Sequence, residues 1–207
     1  AGRRAVRDHL DMDHADHVAL IAAGIGGAGG GGRWLELGAG EGAFTLALAD
    51  VLGPGGHILA TDRDSAALRV AESRVRGQFP GTRLEVARLD FTDGVPAGPF
   101  DGVLAANTLH FVRDRRAILA AIRAAIAPGG RLVVAEYDAD AGNQWVPYPF
   151  SFETWRREAV AAGFDEPRLL HRVPSRFLGA IYGAAAAVPA TSGGVLEFRP
   201  HGEDREE

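Results

Sequence analysis

An apolar run leads straight into a glycine-rich turn and a helical pattern in the stretch Trp34-Leu35-Glu36-Leu37-Gly38-Ala39-Gly40-Glu41-Gly42-Ala43-Phe44. Glycines allow such a turn to be tight and let a ligand approach the backbone, and the helix that follows offers unpaired N–H groups. Open α/β sheets bind their ligands at this place, the carboxyl end of a strand. The stretch therefore predicts a strand, a turn and a helix that hold a nucleotide-type ligand. A glycine turn without any ligand is the alternative.

Strand-like runs alternate with helical patterns from this stretch to about residue 165. Strands are predicted at residues 33–37, 57–61, 83–89, 101–106 and 131–137, and helices at 42–52, 64–76, 113–127 and 152–162. Two further strand-like runs follow at 168–173 and 177–185. This alternation is typical of βαβ units, so we expect an α/β protein with a largely parallel sheet.

The composition changes along the chain and predicts four regions. Residues 1–23 show apolar positions at helical spacing, and residues 24–32 form a linker because seven of these nine positions are Gly. Residues 33–189 hold the alternating pattern and form the main domain, and residues 190–207 are a polar, acidic and flexible tail. We predict that the first region folds over the ligand as a lid, with Met12, Val18 and Ile21 facing it.

The composition also excludes several classes of protein. With 46% hydrophobic and 24% charged residues the chain is globular, and its formal net charge of −5 argues against a nucleic-acid partner. All 22 basic residues are Arg and no Cys is present, which excludes lysine Schiff bases and thiol nucleophiles. The opening residues do not resemble a signal peptide, and no apolar run is as long as a membrane span. We expect a soluble, cytoplasmic domain with a small-molecule partner and no membrane contact; a homodimer is left open.

Acidic residues at predicted strand ends narrow the choice of ligand. Glu36 lies two residues before the first Gly of the turn, where its carboxylate suits an ammonium and would repel a pyrophosphate. Asp62 ends the second predicted strand, where an acid can bind ribose hydroxyls, and Asp90-Phe91 follows the third with an acceptor beside an aromatic ring. These groups point to a ligand with a ribose, a base and an ammonium. A nicotinamide dinucleotide is the alternative, because the turn also satisfies the dinucleotide fingerprint.

Several segments, taken in order, resemble the class I S-adenosylmethionine-dependent methyltransferases: Glu36-Leu37-Gly38-Ala39-Gly40-Glu41-Gly42, Ala60-Thr61-Asp62, Leu89-Asp90-Phe91, Asp101-Gly102-Val103-Leu104-Ala105-Ala106-Asn107 and Pro128-Gly129-Gly130-Arg131-Leu132. The resemblance implies a Rossmann-like, seven-stranded, mostly parallel sheet with helices on both faces and an antiparallel last strand. It also implies S-adenosyl-L-methionine as cofactor and methyl transfer to a small-molecule acceptor by in-line displacement. Aminopropyl transfer, cyclisation, and cofactor binding without turnover are the alternatives.

The same resemblance implies cofactor roles for particular residues. The methionine part would be held by Glu36 and by Gly38, Gly40 and Gly42, with Asn107 beside the ammonium and the methyl group. The ribose would bind Asp62, and the adenine would be flanked by Arg63 and contacted by Asp90 and Phe91. Asn107 is followed by Thr108-Leu109-His110 instead of Pro-Pro-Tyr/Phe, which disfavours the branch that methylates amino groups of DNA or protein.

Methyl transfer needs a general base only when the acceptor arrives protonated, and two residues near the predicted strand ends are candidates. His110 is the preferred base because imidazole exchanges protons near neutral pH; packing against the sheet is the alternative. Tyr137 ends the fifth predicted strand, where it lines the acceptor pocket or acts as a strongly activated base. No metal is expected, because the His-rich and acidic residues 11–17 lack a metal-binding pattern.

Substrate contacts are predicted from three further places in the chain. The lid contributes Met12, His14 and His17, and His110 adjoins the acceptor as well. The segment 143–150 contributes Trp145, Tyr148 and Phe150 as a flat apolar wall, unless it only fastens the next helix to the core. Arg176 lies in the predicted terminal turn, where it binds an acidic group of the substrate or is simply exposed.

Overall fold

The protein, described here by a computed structural model of residues 12–26 and 31–190, alternates helices and strands along the chain. The helices are α1 (His14–Ile25), α2 (Ala43–Leu52), α3 (Ser65–Gln78), α4 (Arg116–Ala125) and α5 (Phe152–Ala161). The strands are β1 (Arg33–Leu37), β2 (His57–Asp62), β3 (Arg83–Arg88), β4 (Phe100–Ala106), β5 (Ile126–Tyr137), β6 (Arg168–Ser175) and β7 (Gly179–Ala187). A short 3₁₀ helix, Leu109–Phe111, separates β4 from α4. Residues 1–11 of the predicted lid and residues 191–207 of the predicted tail lie outside the described residues.

The strands form one seven-stranded sheet in the order β3-β2-β1-β4-β5-β7-β6. β7 is antiparallel to both of its neighbours, and the other adjacent strands are parallel. The strand order reverses between β1 and β4, and open α/β sheets bind ligands at the carboxyl ends of such a neighbouring pair. The predicted Rossmann-like sheet with an antiparallel last strand is confirmed.

Separate sets of helices cover the two faces of this sheet. α1, α2 and α3 pack on one face, where Leu20, Leu48 and Val75 are buried. α4 and α5 pack on the other face, where Ile122 and Trp155 are buried. The predicted helices on both faces are therefore confirmed. Over residues 12–26 and 31–190, no helix combines the length and the apolar character needed to cross a membrane.

α1 is a structural part of the core as well as a cover for the sheet. Asp13 caps its N-terminus in reciprocal hydrogen bonds with Asp16. Leu20 and Ile21 are fully buried, and each such side chain contributes about 1.5–3 kcal/mol when it leaves water. Ile21, predicted above to face the ligand, thus packs in the core, because it lies on the face of the helix that contacts the sheet.

The C-terminal end of α1 extends into the predicted linker as far as Ile25. Gly24 is buried in this last turn, and an added Cβ would lie 2.7 Å from Leu170 Cδ1 and 3.0 Å from Val133 Cγ2. The first glycine of the run therefore allows the helix to approach the sheet closely, a contact that composition alone does not reveal.

β5 begins at Ile126, before the predicted start at Arg131. Gly129 N donates to the Val188 carbonyl at 2.9 Å, and Val188 N donates to the Gly130 carbonyl at 2.8 Å. These bonds tie the Pro-Gly-Gly segment to the residue after β7 and keep it within the bounds of β5. The strand is irregular here, because Gly129 has a φ of 79° and the register with β4 shifts between Ile126 and Arg131. α4 consequently ends at Ala125.

The contact between α1 and β7 provides a test of this packing. A side chain at Gly183 would overlap the carbonyl oxygen of Leu20, so Gly183→Ala should push α1 away from the sheet. We expect the free energy of unfolding, measured with urea, to fall by about 1–3 kcal/mol, as in other overpacked cores.

Gly77→Ala is the matched control, because Gly77 lies in α3 with open space where a Cβ would go. Alanine there should raise the free energy of unfolding by about 0.5–1 kcal/mol. An equal loss of stability in both variants would contradict the packing described.

Candidate functional site

A cavity of about 490 Å³ lies between α1 and the glycine-rich turn. Arg74 and Gln78 of α3 line part of it, which the sequence did not predict. The predicted site residues that line it are Met12, His14, His17, Glu36, Gly38, Gly40 and Asn107. The fold thus brings the turn, the end of β4 and the start of α1 together around one space.

The three glycines of the turn differ in what surrounds them, although all three have positive φ angles. A side chain at Gly38 would overlap the Thr108 hydroxyl, whereas an added Cβ at Gly40 would meet nothing within 4 Å. At Gly42 an added Cβ would lie 2.7 Å from Ala71 Cβ. Gly42 therefore packs α2 against α3 and does not line the cavity, while Gly40 leaves its backbone open to a ligand.

Asp62 joins the glycine turn to the end of β2. Its Oδ2 accepts from Gly40 N at 2.8 Å and its Oδ1 accepts from Asp64 N at 2.8 Å. Each carboxylate oxygen has a further lone pair that can accept from a ligand hydroxyl.

Gly42 is the N-cap of α2 and makes no side-chain hydrogen bond, so no N-cap side chain accepts from the backbone N–H groups in the first turn of that helix.

Glu36 has a buried carboxyl group with an unsatisfied oxygen. The residue is 2% exposed, and its Oε2 has no hydrogen-bond partner among the described residues. Burial raises the pKa of Glu36 from 4.5 to about 7; the Thr45 hydroxyl opposes this shift and the Asp62 carboxylate adds to it. Both protonation states of Glu36 are therefore populated near neutral pH.

Asn107, which lines the same cavity, carries a second unsatisfied acceptor. Its φ of 50° is uncommon for a residue other than Gly, and its N–H donates to the Ala135 carbonyl at 2.8 Å. Its side-chain Oδ1 is buried and has no hydrogen-bond partner within the described ranges. An unpaired buried acceptor costs about 1–3 kcal/mol. Two of them on one cavity indicate a ligand that donates hydrogen bonds.

The residues predicted to contact an adenine lie after β2 and β3 and do not line this cavity. Asp90 Oδ1 accepts from Thr92 Oγ1 at 2.7 Å and from Thr92 N at 3.0 Å. The two bonds from Thr92 lower the pKa of Asp90, and the bond from the Thr92 hydroxyl has the larger effect. The positive charge of Arg63 lowers this pKa further. Phe91 is half-buried against the apolar cluster under α4 and α5. The sheet thus places an ionised acceptor and a ring at the same edge as the cavity.

His110 is held by a buried carboxylate on β5. Glu136 Oε1 accepts from Thr108 N at 2.9 Å and from Leu109 N at 2.8 Å, and its Oε2 bonds to His110 Nδ1 at 2.7 Å. Both side chains are almost completely buried. In the tautomer of neutral imidazole that donates from Nδ1 to this carboxylate, the lone pair is on the other ring nitrogen, Nε2.

His110 and Tyr137 lie side by side, outside the lining of the cavity. Their ring centroids are 6.0 Å apart in an edge-on arrangement. On its other side, Tyr137 contacts Phe177 of the β6–β7 turn, with centroids 5.8 Å apart. Arg176 precedes Phe177 in that turn and is exposed. The β4 loop, the end of β5 and the terminal turn therefore meet at one place.

The aromatic segment after β5 is divided between surface and core. Trp145 and Tyr148 are 37% and 40% exposed, and Tyr148 N donates to the His110 carbonyl at 3.0 Å. Phe150, predicted to belong to the same wall, is instead fully buried against Trp155 and Tyr182. The second part of the segment thus fastens α5 to the core, and only the first part faces outward.

Two buried charged residues near the 3₁₀ helix were not predicted from the sequence: Glu136, which contacts His110, and Arg115, which donates to the carbonyl of Val112 at the end of that helix. Arg115 binds Glu158 through two nitrogens, at 2.7 and 2.8 Å, and donates to the carbonyls of Val112 and Tyr148. The available signal for Glu136 is an acid near the end of an apolar strand. No sequence signal distinguishes Arg115, because Arg113 and Arg116 are the same residue type and lie within two positions of it.

The burial of Glu36 predicts how stability depends on pH. Because its pKa rises from 4.5 to about 7 on folding, this residue's contribution to stability is lost as the pH rises through that range. Glu36→Gln should raise the free energy of unfolding by on the order of 2–3 kcal/mol at pH 8, but by less than about 1 kcal/mol at pH 5. Urea unfolding at both pH values measures the difference.

Glu41→Gln is the control, because Glu41 lines the same cavity but is exposed. Solvent stabilises both forms of an exposed carboxyl group, so no such pH-dependent gain is expected. A gain from Glu36→Gln that is the same at both pH values would contradict the burial argument.

Residues 35–132 match a family model described as a methyltransferase domain. The chain is also similar to the ubiquinone/menaquinone biosynthesis C-methyltransferase of Burkholderia mallei. The two are 30% identical over 150 residues, which are 68% of this chain and 58% of that protein. The chain thus spans a little over half the length of the curated relatives that it matches.

Solved structures share the fold at low sequence identity. Phosphoethanolamine N-methyltransferase 2 of Haemonchus contortus, in complex with S-adenosyl-L-methionine, aligns with a TM-score of 0.65 and 16% identity, over 85% of this chain and 52% of that one. The arsenic(III) S-adenosylmethionine methyltransferase of Chlamydomonas reinhardtii gives 0.62 and 20%, over 91% and 74%. These solved structures show that the fold is shared. The family model and the curated relative show that the chain belongs to the class I S-adenosylmethionine-dependent methyltransferase family.

Proposed function

We propose that this protein transfers a methyl group from S-adenosyl-L-methionine to a small-molecule acceptor. The observation that carries the proposal is the pair of buried, unpartnered acceptors, Glu36 Oε2 and Asn107 Oδ1, on residues that line one cavity. An ammonium has several N–H donors and a positive charge, so it would satisfy both oxygens and favour the ionised form of Glu36. The amino-acid end of S-adenosylmethionine carries such a group. Membership of the family supports the same ligand.

The other residues at the sheet edge suit the remaining parts of the cofactor. Gly40 leaves room for close approach to the backbone, and Asp62 has lone pairs for ribose hydroxyls. Asp90 and Phe91 would contact the adenine, with Arg63 beside them. The N-terminal segment would cover the amino-acid end through Met12, His14 and His17. When bound, the cofactor supplies a methyl group on a positively charged sulfur.

A nicotinamide dinucleotide suits this site poorly. A pyrophosphate at the glycine turn would lie close to the carboxyl groups of Glu36 and Asp62, and like charges repel strongly where water is excluded. Arg74 lines the cavity, but its guanidinium donates to the Glu41 carbonyl at 3.0 Å. Methyl transfer is therefore the preferred reaction, and product analysis would separate it from aminopropyl transfer or cyclisation.

His110 is the proposed general base for an acceptor that arrives protonated. The Nδ1–Glu136 bond fixes the ring and leaves Nε2 to take a proton from an O–H or an acidic C–H. Glu136 acts as a positioning residue, because it also holds the Thr108 and Leu109 amides. Tyr137 would line the acceptor pocket beside the imidazole. Similarity to a C-methyltransferase supports a carbon acid as one acceptor class.

The surface around His110 supports a small aromatic or apolar acceptor. Trp145 and Tyr148 expose their rings near the His110 loop, and flat apolar molecules bind well against such rings. Arg176 would pair with an acidic substituent of the acceptor. The net charge of −5 supports a small molecule over nucleic acid. The lack of Cys supports a cytoplasmic location, where thiols stay reduced.

Replacing Asp62 tests the cofactor site. Asp62→Ala should weaken binding of S-adenosylhomocysteine by about 1.5–3 kcal/mol, because charge-assisted hydrogen bonds to the ribose are lost. Titration calorimetry measures the dissociation constant.

Asp64→Ala is the matched control. Asp64 caps α3 by accepting from Ala66 N and Ala67 N, so its loss should lower the free energy of unfolding by about 1 kcal/mol while leaving the affinity unchanged. Normal binding by Asp62→Ala would show that the ribose is bound elsewhere.

Replacing His110 and Glu136 tests the proposed base. His110→Gln should lower kcat by about 10²- to 10⁴-fold, with little change in cofactor affinity. Glu136→Gln should also lower kcat and displace the pH profile, because an amide NH₂ favours the wrong imidazole tautomer. Transfer of labelled methyl to a panel of phenols and 1,3-dicarbonyl compounds measures both.

His171→Gln is the control for these variants, since His171 is exposed on β6. It should leave kcat unchanged. If His110→Gln weakens cofactor binding as much as turnover, its role is structural and the proposed base is wrong.

A further inference from the structure

The groups closest to Glu36 are acidic or neutral. The arginine that lines the same cavity, Arg74 of α3, is exposed to solvent. Asp62 approaches from β2 and the Thr45 hydroxyl from α2. His17 of α1 lines the same cavity, and burial lowers its pKa, which favours the neutral form of its ring. Glu41 of the turn also lines the cavity and, like Arg74, is exposed to solvent. His14 of α1 lines it as well, and its ring bonds to Asp50 at 2.9 Å.

The geometry makes the carboxyl group of Glu36 sensitive to what occupies the cavity. Its Oε2 is buried and unpartnered among the described residues. Asn107 lines the same cavity, and its Oδ1 is also buried and unpartnered within the described ranges. A carboxyl group in such a place holds its proton more tightly than one in water, because burial disfavours the charged form. A cation brought into the cavity reverses this preference, since it attracts the carboxylate at short range with little solvent screening.

We propose that cofactor binding is proton-coupled: Glu36 holds a proton in part of the free protein and releases it to solvent when the ligand's ammonium enters the cavity. The inference rests on the proposed function, because it takes an ammonium-bearing cofactor as the ligand. One O–H bond at Glu36 breaks, the proton passes to a buffer base, and the carboxylate stays as the partner of the ammonium. Asn107 Oδ1 accepts a second N–H of the same group.

The direction of the pH dependence follows from this exchange. The free protein has Glu36 with a pKa of about 7, and the ammonium lowers that value in the complex. The contribution of Glu36 to affinity is therefore complete well above pH 7 and falls as the pH drops, because the ligand must first displace a proton. This contribution alone should make binding about tenfold weaker at pH 6 than at pH 8. The ligand's own amino group, with an ordinary pKa of about 7.7–8.0, also titrates in this range, so the effect of Glu36 is read from the comparison with Glu36→Gln.

Titration calorimetry with S-adenosylhomocysteine tests the coupling without any turnover. The binding enthalpy is measured at pH 7 in phosphate and in Tris, whose ionisation enthalpies differ, so that the difference counts the protons released. The wild-type protein should release about half a proton more than Glu36→Gln. The ligand's own amino group titrates equally with both proteins and cancels in this comparison.

Glu41→Gln is the matched control for the proton count. It changes a carboxyl group on the same cavity that is exposed, so it should release as many protons as the wild-type protein. The dissociation constants at pH 6 and pH 8 should differ about tenfold more for the wild-type protein and Glu41→Gln than for Glu36→Gln.

Infrared difference spectroscopy of the wild-type protein provides a measurement that needs no variant. Ligand binding should remove the C=O band of a protonated carboxyl group and add the band of a carboxylate. Equal proton release by the wild-type protein and Glu36→Gln, or an unchanged carboxyl band, would overturn the coupling while S-adenosylhomocysteine still bound. Failure of S-adenosylhomocysteine to bind at any pH would instead overturn the proposed function, and the coupling with it.

Discussion

The carboxylate of Glu136 anchors the loop after β4, and the geometry of the site depends on this anchor. Its two oxygens accept from the amides of Thr108 and Leu109 and from the ring of His110. Asn107 is tied to the preceding residue of β5 through the Ala135 carbonyl. The position of Thr108 in turn leaves no room for a side chain at Gly38. A single buried acid thereby connects the end of β5 to the loop and to the glycine turn.

Two glutamates are buried at the carboxyl ends of central strands, and their surroundings differ. Glu136 has donors at both oxygens, so it rigidifies the structure around it. Glu36 has an oxygen without a partner among the described residues, so its burial disfavours the free protein. A cationic donor would remove that cost. The same residue type therefore fixes a loop in one place and, in our proposal, binds the ligand's ammonium in the other. The number of hydrogen-bond donors within reach makes the difference.

α1 packs closely against the sheet. Gly24 and Gly183 lack side chains, so α1 lies close enough to β7 for any Cβ at Gly183 to overlap the helix backbone. This close packing holds the start of the helix, with Met12 and His17, over the cavity. Stability of the core and shape of the ligand site are consequently linked through one helix.

The alternation of apolar runs was sufficient to predict the sheet, and the residues at the ends of these runs were sufficient to predict which edge of the sheet they share. Successive parallel strands point the same way, so residues that follow them, such as Glu36, Asp62 and Asn107, must come to one edge of the sheet. This inference needs only the local pattern and the direction of the chain. The glycine turn could also be predicted locally, because glycine tolerates the positive φ angles that such a turn requires.

Contacts between distant residues were decided by the tertiary structure alone. His110 and Glu136 are 26 positions apart, and nothing in either segment indicates that they meet. Phe150 turned inward and Gly24 became part of a helix because the partners that bury them lie on other elements. Whether a buried acid is satisfied, as Glu136 is, or left with an unpaired oxygen, as Glu36 is, depends on which distant N–H groups reach it. Local sequence patterns do not show which distant N–H groups come within hydrogen-bonding reach of a buried acid.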